Sequence, residues 1–91
     1  MNKPMSKLIE KFEMIRTCHA CPEQYDILIN GKLAGYLRLR HGYFCATSPD
    51  VDGVVVYEAY PEGDGLFEET ERGLHLENAQ RAVIDYWWKS N

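Results

Sequence analysis

The stretch YDILINGKLAGYLRLR, residues 25–40, constrains the fold most. Asn30-Gly31 separates two runs rich in aliphatic and aromatic residues, and both turn residues tolerate positive φ, as a tight β-hairpin requires. Tyr25 to Ile29 and Leu33 to Arg40 are therefore expected to pair as antiparallel strands. A strict two-residue turn would pair Leu28 with Leu33 and Ile27 with Ala34, leaving Ile27 and Ile29 on the face of Tyr36, Arg38 and Arg40. A three-residue turn would instead group the isoleucines with Leu33, Leu37 and Leu39. The cleaner separation of apolar from polar side chains favours the second register.

Outward from the hairpin, Gly42 turns the chain into a strand over Tyr43 to Thr47, Pro49 to Gly53 reads as a loop, and Val54 to Tyr60 makes a fourth strand rich in β-branched residues. PEGDG, residues 61–65, is a second loop. A C-terminal helix follows, with an apolar stripe of Leu76, Ala79, Val83 and Tyr86 or Trp87, capped by Thr70 or a nearby acid. At the other end Met5, Leu8, Ile9, Phe12 and Ile15 recur at helical spacing. Pro4 would open that helix, and it would end near Thr17, before Cys21-Pro22 forces extended backbone. The expected architecture is one α+β domain over residues 1–91: an N-terminal helix, a four-stranded antiparallel meander, and a C-terminal helix packed on one sheet face.

Charge is distributed unevenly. The net charge is -4, but residues 1–41 hold seven Lys/Arg against four Asp/Glu, and residues 42–91 hold three against ten. Asp50, Asp52, Glu58, Glu62, Asp64, Glu68, Glu69 and Glu71 fall in one stretch without a Lys or Arg. Such a run is either a solvated loop face or a docking surface that attracts and orients a basic partner. Trp87 and Trp88 are adjacent, so only one can point fully inward on a helix; Trp88 is then a lid over the core edge or a second partner anchor. No apolar run approaches the roughly 20 residues of a membrane helix. Lys7, Glu10, Lys11 and Glu13 interrupt the N-terminal apolar residues, which argues against a secretory signal and for a cytoplasmic protein.

Chemistry-bearing motifs are few. Cys18 and Cys21 have the two-residue gap of a zinc hairpin, and His41 and Cys45 would complete a Cys₃His set, with His19 as a competing ligand. Against zinc, His41 and Cys45 lie four residues apart, about 13 Å along a flat strand, so only a tight turn at Gly42 would bring them together. A redox role for C-x-x-C is disfavoured because the motif precedes a strand instead of opening a helix. DVDG at 50–53 lacks the other ligands of a calcium loop, PEGDG is no phosphate loop, and Ser48 with His41 makes no triad. His75 reads as a surface or packing residue and not as a general base. Tyr36, Arg38, Arg40 and Tyr43 form the kind of face that binds nucleic acid, but the overall acidity and the missing RRM signature oppose that reading.

CPEQYDILINGKLAGYLRLRHGYF followed by VVVYEAYPEGDGLFE, roughly residues 21–68, resembles small proteins of bacteriophages, prophages and related mobile elements. That resemblance implies no activity. GKLAGYLRLR is also similar to the second and third strands of GNAT acetyltransferases, which implies a shared meander. The acidic PEGDG stands where that family has a basic, glycine-rich pyrophosphate loop, so acetyl transfer is not implied. The expectation is a non-enzymatic binding protein, a phage or mobile-element modulator or inhibitor that docks its acidic surface on a basic host or phage protein such as a defence nuclease. The alternatives are a zinc-stapled domain and a degenerate acetyltransferase. No cofactor is required unless zinc binds.

Overall fold

A computed structural model describes residues 8–20 and 22–90. Among the described residues five strands, β1 (Phe12–His19), β2 (Glu23–Ile29), β3 (Lys32–Arg40), β4 (Tyr43–Ser48) and β5 (Val54–Ala59), precede one helix, α1 (Glu69–Lys89). The strands form one antiparallel sheet in chain order, β1-β2-β3-β4-β5. Four of the expected strands and the C-terminal helix are present, but the expected N-terminal helix is not. Phe12–His19 is a fifth strand, and residues 1–7 of the expected helix lie outside the described residues.

The reason is tertiary. Leu8, Ile9, Phe12 and Ile15 fit a helical stripe, but Phe12 and Met14 also fit strand alternation, and β-branched Ile15 and Thr17 favour the sheet. Pairing with β2 sets Phe12 opposite Ile29 and Met14 opposite Ile27, so β1 covers what would be an open edge. Asn30 reinforces this. Its Oδ1 accepts the amides of Glu10 and Lys11 at 2.7 and 3.0 Å, and its Nδ2 donates to the Leu8 carbonyl at 2.9 Å.

The central hairpin keeps the expected faces by a different device. Asn30 and Gly31 have φ of 53° and 82°, a two-residue turn that pairs Ile29 with Lys32 and Leu28 with Leu33. The register then slips by one residue at Ala34, so that Ile27 meets Gly35 and Tyr25 meets Leu37. Ile27, Ile29, Leu37 and Leu39 are all buried as the three-residue turn would have required, whereas Leu33 is left exposed. Ser48 Oγ donates to the carbonyl of the bulged Ala34 at 2.6 Å, fastening the irregularity to β4. His41 and Gly42 repeat the turn chemistry between β3 and β4, with φ of 54° and 73°.

The helix packs across β3, β4 and β5 on one face of the sheet. Phe44, Ala46, Leu37 and Leu39 meet Ala79 and Val83 there, with Phe67 and Tyr57 edge-on to Phe44. Closest approach is at Gly35, where an added Cβ would stand 2.8 Å from both methyls of Val83. Val83 is fully buried and β-branched, so it has little freedom to yield. Gly35→Ala is therefore expected to destabilise the fold by about 1–3 kcal/mol, read as a lowered urea midpoint, and Val83→Ala in the same chain to restore part of the loss.

Candidate functional site

One end of the molecule is built around a carboxylate that water does not reach. Glu23, the first residue of β2, is fully buried. Its oxygens accept from Arg72 Nε and Nη2 at 2.9 and 3.2 Å, from the Phe67 amide at 3.0 Å, and from Tyr25 Oη. Arg16 Nη2 of β1 lies 3.5 Å away, while Arg16 Nε is buried without a partner. Burial alone would push the Glu23 carboxyl up, but the bonds from Arg72, Tyr25 and Phe67 overcome it and hold the group below the ordinary carboxylate value. The same burial, with Glu23 alongside, pushes Tyr25 up to about 12.

This cluster fixes the loop between β5 and α1. The Glu23 amide donates to the Gly65 carbonyl at 3.0 Å and the Gly42 amide to the Asp64 carbonyl at 2.7 Å, so β2 and the β3–β4 turn both hold the loop. Glu71 closes it from the helix side, accepting the amides of Glu62, Gly63 and Glu68 at 2.8 to 2.9 Å. Burial pulls the Glu71 carboxyl up and these three amides more than offset it, leaving it below its ordinary value. Glu68 is the N-cap and Glu71 the third helical residue, a reciprocal arrangement reinforced by acids at the positive end of the helix dipole.

The eight carboxylates of the sequence run do not form one surface. Asp50 and Asp52 sit in the β4–β5 turn, and Glu62, Asp64, Glu68, Glu69 and Glu71 lie beyond the other end of β5, a strand about 20 Å long. Glu58 is on β5 itself and accepts from Tyr43 Oη at 2.6 Å, which pushes the Tyr43 phenol up. Asp50 Oδ1 accepts the Asp52 amide at 3.0 Å, the local bond of an Asx turn. Glu69 pairs with Arg72, and Glu71 is occupied by the loop. Glu62, Asp64 and Glu68 are exposed and neighbour one another on the braced loop, with the Leu66 side chain 45% exposed among them. Trp88 is exposed too, but nineteen residues beyond Glu69 on α1, roughly 28 Å from that loop, with its ring 6.2 Å from Trp87.

The proposed zinc ligands are not brought together. Cys18 of β1 pairs with Gln24, Gln24 with Arg38, and Arg38 with Cys45, so three strand spacings, about 14 Å, separate the two thiols. His41 does sit in a tight turn at Gly42, but the turn places it at the hairpin tip, beyond the Arg40–Tyr43 pair. Cys21 lies outside the described residues, and among those described no three His, Cys, Asp or Glu converge as a metal site would require. Cys18 Sγ contacts the Ala20 carbonyl at 3.6 Å.

His75 is half-buried between elements, as a packing residue should be. It stacks on Phe67 at 5.5 Å between ring centroids, its Nδ1 is 3.0 Å from Tyr57 Oη, and Asn78 Nδ2 donates to that hydroxyl at 3.3 Å. The sequence reading missed Glu23, Arg72 and Arg16 altogether. Glu23 precedes an apolar strand and reads as its solvated end, while Arg72 stands 49 residues away; a lone Arg in an otherwise acidic helix start was the available signal. No family model matches the chain, and no curated protein or solved structure is significantly similar to it.

A depressed carboxyl stabilises the fold above its unfolded value, 4.5, and loses that contribution as pH falls through the folded value. Glu23→Gln is therefore expected to lose on the order of 3 kcal/mol near neutral pH, because the neutral amide no longer balances Arg72 and Arg16 in the buried cluster and leaves Arg72 with the exposed Glu69 alone. The gap between variant and parent should be full above pH 4.5 and narrow as pH falls below it, as measured by urea unfolding across pH.

Proposed function

We propose that this chain is a binding protein that performs no chemistry of its own, and that its partner surface is the braced loop at 61–69. The supporting observation is the loop's construction: Glu71, Glu23 and Gly42 all hold its backbone, and it presents Leu66 within a rim of Glu62, Asp64 and Glu68. A rigid apolar tip ringed by unpaired acids suits a basic surface with a shallow apolar socket. The carboxylates steer the encounter and Leu66 supplies the desolvated contact. Because the loop is ordered in advance, little conformational entropy is lost on docking.

The resemblance to phage and mobile-element proteins makes a host protein the natural partner, and a nuclease that protects the host from foreign DNA carries the basic groove such a surface would meet. In this reading the protein is a modulator or inhibitor, acting inside the cell and apart from membranes, and its contact with the host partner is a protein surface. Asp50, Asp52 and Trp88, at the other end of the molecule, belong to a separate contact if they take part at all.

The test is capture of partners by the tagged chain and by Glu62→Lys/Asp64→Lys, followed by titration with the purified partner. Glu68 is left in place because it caps α1, and neither Glu62 nor Asp64 braces the loop through its side chain, so the variant should fold as the parent does. Loss of a salt-sensitive partner, with affinity down about a hundredfold or more, is the expected result. A partner bound equally by both would place the interface elsewhere.

A further inference from the structure

The face of the sheet opposite α1 holds an arrangement the acidic loop does not explain. Tyr36, Arg38 and Arg40 alternate along β3 on that face, and Arg40 pairs with Tyr43, Arg38 with Cys45. Arg38, Arg40, Tyr43 and Cys45, with His41 at the turn, line a concavity of about 330 Å³. The Tyr60 ring stands 5.3 Å from that of Tyr43, tilted by 44°, and is 78% exposed. Two guanidiniums and Tyr43 thus line one open hollow, with the exposed Tyr60 ring beside Tyr43.

Neither guanidinium is neutralised. Among the described residues Arg38 and Arg40 make no ion pair and no side-chain hydrogen bond, although every other arginine of the chain pairs with a carboxylate. Of the acids on this face, Asp26 stands opposite Tyr36 on β2 and pairs with neither arginine, and Glu58 lies in the same cross-strand row as Arg38 and Cys45. Tyr43 holds it instead, donating to Glu58 Oε1 at 2.6 Å. In a chain of net charge -4, leaving two adjacent arginines unpaired beside a hollow calls for an outside anion.

We propose that this hollow binds a nucleoside phosphate, with Arg38 and Arg40 on the phosphate and the Tyr43–Tyr60 pair against the base. Their Cα atoms are about 6.7 Å apart on one strand face, and the two planar forks can converge on a single phosphate from both sides. A carboxylate would satisfy the arginines but leave the tyrosine wall without a partner; a planar base uses both. The volume is at the lower end of small-ligand sites, about 300–1,000 Å³, and fits one nucleotide unit and not an extended strand. The same unit could come as a free mononucleotide or as the 5′-phosphorylated end of a single strand. The β3–β4 turn that carries His41 also holds the loop at 61–69 through Gly42, but the contacts proposed here use none of that loop's side chains.

Amide NMR titration with AMP, inorganic phosphate and adenosine tests this. AMP should shift the amides of residues 36–45 and bind more tightly than either fragment alone. Arg38→Gln/Arg40→Gln should weaken AMP by about tenfold or more, Tyr60→Ala should weaken AMP but not phosphate, and Lys32→Gln, at the far hairpin, should change neither. Tighter binding of a 5′-phosphorylated oligonucleotide than of AMP, lost in the same double variant, would identify a strand end as the source; tighter AMP, a free nucleotide. Equal binding of the oligonucleotide without its 5′-phosphate would overturn the proposal. So would no response to AMP at millimolar concentration, or full binding by the folded double variant.

Discussion

The buried ion pair between Glu23 and Arg72 is the constraint on which the rest of the structure turns. It joins the start of β2 to the first turn of α1, and through the Phe67 amide and the Gly65 carbonyl it carries the connecting loop with it. A carboxylate withdrawn from water is tolerable only when its lone pairs are filled, and here two nitrogens of Arg72, one amide and one phenol fill them. An apolar contact of similar area would hold the helix to the sheet as well. It would not dictate the direction in which the loop leaves, and that direction sets where Leu66 and its acidic neighbours stand.

Around this anchor the chain divides its labour by face. One sheet face is closed by α1 and filled with aliphatic and aromatic side chains; the other is open and mixed in character. The acids of the loop end and the unpaired arginines of the open face are kept apart by internal partners. Arg72 takes Glu69, loop amides take Glu71, and Tyr43 takes Glu58, so of the charges in these two regions Glu62, Asp64 and Glu68 face outward at one and Arg38 with Arg40 at the other. A modest net charge conceals two surfaces of opposite sign, each suited to a different ligand.

What the sequence revealed was whatever its local rules decide. Asn30-Gly31 needs only its own φ preferences to make a turn, and Leu76, Ala79 and Val83 need only helical spacing. The N-terminal segment was illegible because its apolar residues satisfy both periods, and the vacant edge of β2, ten and more residues on, decides between them. The bulge at Ala34 was hidden for a similar reason. Ser48 and Val83 select it, and neither is a neighbour in sequence. Among the acids, composition announced the charge but not its use, since the partners of Glu58, Glu71 and Glu23 lie between two and 49 residues away. The zinc reading failed on strand order, which places β2 and β3 between Cys18 and Cys45.

The central claim, that the Glu23–Arg72 pair shapes the loop as well as stabilising the fold, is tested most directly by a double-mutant cycle with hydrogen exchange as the readout. Glu23→Gln, Arg72→Met and the double variant would be compared with the parent for global stability and for exchange at the amides of Gly63, Phe67 and Glu68. The account predicts a coupling energy above about 1 kcal/mol, with loop amides opening faster in either single variant than the drop in global stability explains. Additive stabilities, with loop exchange following global unfolding alone, would contradict it.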